Sequence, residues 1–413
     1  MNEWKSPESM RLSRRAFTRG AGSIAVGFAG ATAFASVGSL ISSPAVAASS
    51  FKAKRSYKIG FVAPLTGPVA PEGSGMKKGF DLGIEALNAA GGIAGHPVEV
   101  VTQDDQAAPP VTGTVIKKFV QEDNVDLILG TITSDEETVA ANLGRSFHVP
   151  VVFIEAGFWV PFCNSPCVLM GESSYDLLAP LVPFMAKKFG KKFMLLGTDF
   201  EFPHQYLKVA KEYLKKNDCT VVGELYAPFG TPDYSSMIAK VKAANADVIL
   251  SAIVGGEAIS FCKQALSLGL LPKAHVTGVM LQPDFYPAMG GSVDGQYTCV
   301  RYSEGLDNPD NEQFKAAFHK KYGPGAISLV ANTAYYSLRF VKAAVEKAGT
   351  YDRMKVFNAF KGLSAPTPVS TKPIRINPTT MAARYPMYIA QIQPGGLFKI
   401  VEDAGIVHGG LKC

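Results

Sequence analysis

Residues 125–156 read VDLILGTITSDEETVAANLGRSFHVPVVFIEA, and their order of residue types is strand, loop, helix, strand. Val125 to Gly130 is a short apolar run ending on glycine, the pattern of a strand covered on both faces. Ser134 or Asp135 then offers an N-cap, with further acids in the first turn, where the positive end of the helix dipole favours them. The helix runs to Phe147, and a second apolar run from Val149 to Ala156 reads as the next strand. Strands joined through a helix lie parallel, because a short hairpin cannot connect them.

The same alternation extends in both directions. Upstream, YKIGFVA (57–63) reads as a strand, followed by a Gly/Pro-rich loop, APLTGPVAPEGSG (63–75). Met76, Phe80, Ile84 and Leu87 then recur at helical spacing, and the glycines of NAAGGIAG end that helix. HPVEVVTQDD is a strand, and Val111, Val115, Phe119 and Val120 mark another helix. Beyond Ser174 the cycle restarts: strands KKFMLLGTD, TVVGELYAP, DVILSAIVG and HVTGVML, with helices HQYLKVAKEYLKKN, YSSMIAKVKAAN and EAISFCKQALSLG between them. MYIAQIQPGGLFKIV closes the chain as a hairpin around Pro394-Gly395-Gly396. Two such runs predict an α/β protein of two doubly wound parallel-sheet lobes.

The first residues are a separate matter. Ser13-Arg14-Arg15-Ala16-Phe17 is a twin-arginine export pattern, and no charged residue occurs from Gly20 to Phe51. The run is mild in apolarity and closes on Ala45-Val46-Ala47, a small-x-small cleavage site, so residues 1–47 read as a removable signal peptide and not as an anchor. That segment holds five basic and two acidic residues, leaving 36 basic against 33 acidic groups in the rest. So balanced a chain does not fit nucleic acid, which requires a basic face. The expectation is an exported, periplasmic protein, monomeric, meeting the membrane only through a partner. Of six cysteines, Cys163 and Cys167 in PFCNSPC suit a short loop disulfide, while Cys262 reads as a buried thiol in a helix.

Catalytic constellations are missing from the motifs. There is no phosphate loop, nucleophile elbow, zinc-protease helix or dinucleotide fingerprint. The histidines (His96, His148, His204, His275, His319, His408) are far apart, and Asp104 and Asp105 read as capping or solvated acids. A binder that needs no cofactor or metal is expected, not an enzyme. In open α/β sheets ligands sit at the carboxyl ends of the strands, where strand order reverses. The loops there are APLTGPVAPEGSG, GTITSDEET, EAGFWVP, GTDFEFPH, VGGEA and GVMLQPD. Thr133-Ser134 places helix-opening amides beside hydroxyls, suited to an oxygen ligand, although N-capping alone accounts for Ser134. Phe158, Trp159, Phe200 and Phe202 put aromatic rings in loops, as the walls of a small-solute cleft require.

These motifs, in this order, carry a resemblance. KIGFVAPLTGPVA, KGFDLGIEALNAAGGIAGHPVEVVTQDD and VDLILGTITSDEETVAA resemble the exported branched-chain amino acid-binding proteins of ABC transporters. GTDFEFPHQYLKVAKEYLKK and VVGELYAPFGTPDYSSMIAKVKAANADVIL are similar to the urea and short-chain amide branch, and DNEQFKAAFHKKYG and ANTAYYSLRFVKAAVEKAG continue it. The resemblance implies a type I periplasmic-binding fold, two lobes joined by three crossings. Lobe one would comprise 55–174 plus 303–382, and lobe two 175–302 plus 383–413. It implies a solute receptor with permease subunits as partners; an exported sensor of the same fold is the alternative.

Carried over, the family's main-chain and hydroxyl contacts fall near Thr133, Ser134, Ala156, Gly157 and Phe158. Glu72 matches an aromatic contact position, Phe202 matches a tyrosine, and Phe200 stands where the urea branch usually has tyrosine. Met280 falls where amino acid binders place the glutamate that pairs with the ligand's ammonium. An unpaired buried ammonium costs at least a few kcal/mol. A standard α-amino acid is therefore disfavoured unless Glu72, Glu155 or Glu257 substitutes. An amide, a branched or aromatic acid, or a keto acid fits better, with Arg301 either facing a carboxylate or serving at the surface or hinge.

Overall fold

The computed structural model describes residues 51–155, 164–279 and 281–407. Its first sheet is built from β1 (Lys58–Ala63), β2 (Glu99–Asp104), β3 (Leu127–Gly130), β4 (Val151–Phe153) and β5 (Cys167–Leu169). The strands are all parallel in the order β2-β1-β3-β4-β5. Helices α1 (Ala70–Ala89), α2 (Pro109–Gln121) and α3 (Ser134–Phe147) connect them. The inner strands are buried on both faces, which is why their sequences are continuous apolar runs. Phe61 of β1 stacks on Phe80 of α1 at 4.3 Å, and the ring of Phe119 from α2 lies directly over Gly60, where any side chain would collide.

Helix α4 (Ser174–Phe189) leads into a second parallel sheet of β6 (Lys192–Thr198), β7 (Thr220–Ala227), β8 (Val248–Ala252) and β9 (His275–Gly278), ordered β7-β6-β8-β9. Helices α5 (Glu201–Lys216), α6 (Ser235–Ala244), α7 (Gly255–Ser267) and the short α8 (Tyr286–Met289) accompany it. After β10 (Tyr297–Val300) the chain returns to the first sheet as α9 (Pro309–Tyr322), α10 (Leu329–Ala348) and α11 (Arg353–Ala359). A small antiparallel sheet follows, β11 (Ser364–Thr367), β12 (Ser370–Ile376) and β13 (Ala383–Arg384). Finally β14 (Pro386–Ile392) pairs antiparallel with β10, and β15 (Phe398–Ile406) pairs with β14 around the Pro-Gly-Gly turn. The architecture is the expected pair of doubly wound parallel-sheet lobes with three chain passages between them.

The return rests on α10 lying along α1. Gly79 makes this possible: a Cβ there would come within 1.9 Å of the Ala331 carbonyl oxygen, so only glycine permits the two backbones to approach.

Several local expectations are corrected. Helix α1 starts at Ala70, inside the stretch read as loop, because Pro71 is tolerated in a first turn where N–H groups have no intrahelical partner. Thr133, not Ser134 or Asp135, is the N-cap of α3; its backbone N–H donates to the Glu136 carboxylate at 2.6 Å. The three-residue β5 and helix α4, which carries Pro180 and Pro183, had no separable signature. Cys167 is a buried free thiol on β5, and its expected partner Cys163 lies outside the described residues, as do His408 and the export segment. Among the described residues no helix is long and apolar enough to cross a membrane.

Candidate functional site

In the first sheet the strand order reverses between β1 and β3; in the second it reverses between β6 and β8. Each reversal opens a crevice at the carboxyl ends of its strands, because successive crossovers leave in opposite directions. A single cavity occupies both crevices. Val69 and Glu72 follow β1, Ile132 and Thr133 follow β3, Phe200 and Phe202 follow β6, and Val254 follows β8. Glu155, Glu172 and Leu177 line it from beyond β4 and β5, and Val279, Leu281, Gln282, Thr298 and Cys299 from around β9 and β10. Leu329 completes it at the start of α10. The empty space measures about 640 Å³, open solvent included, a size that suits a small organic solute.

Helices α1, α3, α5, α7 and α10 present their N-terminal ends, and with them the positive ends of their dipoles, to this space. Their first residues supply apolar walls. Phe200 meets Phe229 edge-on at 5.5 Å, and Phe202 leans on Tyr206 at 5.7 Å, so both rings are held from behind. Across the cleft, the Gly256 N–H donates to the Pro68 carbonyl at 3.3 Å, and the positive φ of Gly255, +61°, allows that approach.

The charges are unusual for so apolar a space. Glu72 is only 3% exposed; burial, then the negative charge of Asp284, pushes its carboxyl well above the usual range. Its Oε1 lies toward Gly255 of the other lobe, where an added Cβ would stand 3.5 Å from it, while Oε2 is buried without a hydrogen-bond partner. Burial likewise pushes Asp284, just beyond Gln282, up to about 7. Beneath the first turn of α3, Glu136 is pushed up to about 8, by burial and then by Asp105, whose own carboxyl is raised by burial. Thr112 donates to that Asp105 at 3.1 Å. Ser134 is buried beside the cavity, its hydroxyl without a hydrogen-bond partner.

Of the residues singled out from sequence, Glu72, Thr133, Phe200 and Phe202 meet in this cavity, and Ser134 stands next to it without lining it. Ala156, Gly157, Phe158 and Met280 lie outside the described residues. Among the acids offered as substitutes for the missing glutamate, Glu72 and Glu155 line the cavity. Glu257 does not: it accepts from Thr198 Oγ1 at 2.9 Å and from the Gly230 N–H, inside the second lobe. Arg301 is not at the surface. It is fully buried, ion-paired with Glu172, and its Nε donates to Thr333 Oγ1 at 2.8 Å. Glu172, Cys299 and Leu329 carried no sequence signal, since nothing in their neighbourhoods marks a loop at a strand's carboxyl end.

The sequence model of the periplasmic binding protein family matches residues 56–397. A Leu/Ile/Val-binding protein homolog 7 from Brucella suis biovar 1 (strain 1330) is 24% identical over 391 residues, covering 89% of this chain and 96% of that protein. Among solved structures, a solute-binding protein of an ABC transporter from Rhodopseudomonas palustris BisB5, in complex with 3,4-dihydroxybenzoic acid, is 26% identical. It superposes with a TM-score of 0.79 over 86% of this chain and 98% of that one. A leucine-binding protein from Thermotoga maritima MSB8 shares the fold at 18% identity and a TM-score of 0.75, covering 85% of this chain and 98% of its own. Each of these relatives is named as a binding protein.

Proposed function

The chain belongs to the periplasmic binding protein family, and from that premise we propose that it is the solute receptor of an ABC importer, trapping a small organic solute between its lobes and delivering it to membrane permease subunits. The observation that carries this reading is the single cavity at both strand-order reversals. A solute there touches both lobes at once, so its binding energy favours the closed arrangement over the open one. Apolar and aromatic walls with a few polar groups suit a branched-chain amino acid-like, amide- or urea-like, or small carboxylate ligand.

The remaining parts of the reading follow from the same premise. The twin-arginine segment would export the folded protein to the periplasm, with cleavage after Ala47. The lobes would comprise 55–174 plus 303–382 and 175–302 plus 383–413, a division supported by α10 packing on α1 and β14 pairing with β10. The receptor would act as a monomer.

The test combines thermal shift with small-angle scattering over a panel of amino acids, amides, urea, keto acids and aromatic carboxylates. A ligand at about a hundred times its Kd adds about 2.7 kcal/mol of stability. A cognate solute is expected to raise the melting temperature and contract the protein together. A stabilising solute that leaves the dimensions unchanged would sink the closure mechanism.

A further inference from the structure

Glu72 stands where the family resemblance expects an aromatic ring, and the structure gives its carboxylate two directions. Oε1 lies toward Gly255 of the opposite lobe, where a Cβ would stand 3.5 Å from it; Oε2 is buried without a hydrogen-bond partner, on a residue that lines the cavity. Gln282, on the cavity wall, adds a buried amide oxygen that also has no hydrogen-bond partner. Among the described lining residues there are three carboxylates, Glu72, Glu155 and Glu172, and no lysine, arginine or histidine. The guanidinium of Arg301 is ion-paired with Glu172 and does not line the cavity, and its Nη2 is buried without a hydrogen-bond partner. Asp284 and Glu155 act on Glu72 as like charges, and Lys78 acts on Asp284 as the opposing one. Burial and like charges favour the neutral form of such a carboxyl group, and a cationic donor beside it favours the ionised form.

We propose that Glu72 reads the head of the ligand, that this head is an ammonium or amide N–H, and that the same contact draws the lobes together. The assignment rests on the receptor reading above and narrows it: of the solutes admitted there, those whose recognised end donates hydrogen bonds are favoured over simple carboxylates. A ligand carboxylate at this end would add a like charge to a set that has no free cation among the described lining residues. An ammonium displaces the Glu72 proton and forms a charge-assisted bond; an amide N–H satisfies Oε2 without displacing it. Either donor is held against a carboxyl group whose other oxygen faces the second lobe.

Two matched probe sets test this on the purified protein by calorimetry: benzylamine, benzamide and benzoate, and 3-methylbutylamine, 3-methylbutanamide and 3-methylbutanoate. Within a set, the amine and amide are expected to bind at least about tenfold more tightly than the carboxylate. Amine binding should release a proton, read from the heat in buffers of different ionisation enthalpy. Glu72→Gln, checked for folding by its melting transition, should weaken the amine about tenfold or more, weaken the amide by less than about threefold, and abolish the proton release. A merely structural Glu72 would leave proton release unchanged. Tightest binding by a carboxylate, or unaltered amine binding in Glu72→Gln, overturns the proposal. If a carboxylate binds tightest and still contracts the protein in scattering, the receptor reading stands and only the role of Glu72 falls. If none of the six probes binds, the donor assignment is overturned, whereas the receptor reading falls only if no solute contracts the protein.

Discussion

Arg301 and Glu172 face each other in the interior where the two lobes meet, and their energetics follow from burial. Each charge has left water, and their mutual attraction offsets that loss only while both are present. Arg301→Met is expected to cost about 3–5 kcal/mol, because Glu172 is left charged and alone. Adding Glu172→Leu should recover most of that loss, as a denaturant-unfolding double-mutant cycle would show. Phe202 poses a different residue-scale question. Its ring is buried against Tyr206 on one side and lines the cavity on the other. Phe202→Ala should weaken ligand binding about tenfold or more while unfolding stays cooperative; unchanged affinity would remove the ring from the site. Phe202 was singled out in the sequence as an aromatic residue in a loop after a strand, although the structure places it in the first turn of α5. Glu172 was not, because its partner lies far along the chain and only folding sets them side by side.

At the scale of elements, the first turn of α3 rests on the carboxyl pair Glu136 and Asp105. Glu136 is raised from 4.5 to about 8, so the folded state holds a proton that the unfolded chain releases near 4.5. Stability from this group is therefore fully present below about 4.5 and is lost as pH rises toward about 8. Glu136→Gln keeps an acceptor for the Thr133 N–H and should flatten the stability profile across that window by about one proton's slope. A slope unchanged in the variant would show that another group carries it. The contact of α1 with α10 is steric. Gly79→Ala places a Cβ on the Ala331 carbonyl and should destabilise by about 3 kcal/mol, at the upper end of overpacking costs. The periodicity of α1 was plain in its apolar residues, yet its start at Ala70 was hidden by Pro71 and the glycines. Those residue types signal loops, except in a first turn where no N–H bond is lost.

For the whole molecule, the closed state depends on backbone meeting backbone across the cleft. Gly255→Ala imposes a side chain at φ +61°, with its Cβ 3.0 Å from the Pro68 carbonyl oxygen. The contact acts only where the lobes touch, whereas the backbone strain, about 1–2 kcal/mol, acts in either arrangement. The variant should bind its solute more weakly and contract less in scattering, with a loss of ligand-free stability no larger than that strain. A fall in unliganded stability equal to the loss in binding would show that Gly255 supports its own lobe instead of the closed arrangement.

The sequence by itself determined the alternation of strand and helix, because burial on both faces leaves an apolar run and burial on one leaves a helical stripe. It also determined the two-lobed α/β class, and it marked the loops at the strands' carboxyl ends, including Thr133, Phe200 and Phe202. Only the tertiary structure decided which loops converge, since strand order within a sheet is absent from sequence order. It alone brought Glu72 within reach of Gly255, residues separated by most of both lobes. It turned Arg301 from a ligand candidate into the partner of Glu172. It placed Glu257 behind the wall and Glu155 on it. The physical reason is common to these cases: a charge's role is set by what surrounds it, and those surroundings are assembled from segments that the chain keeps far apart until it folds.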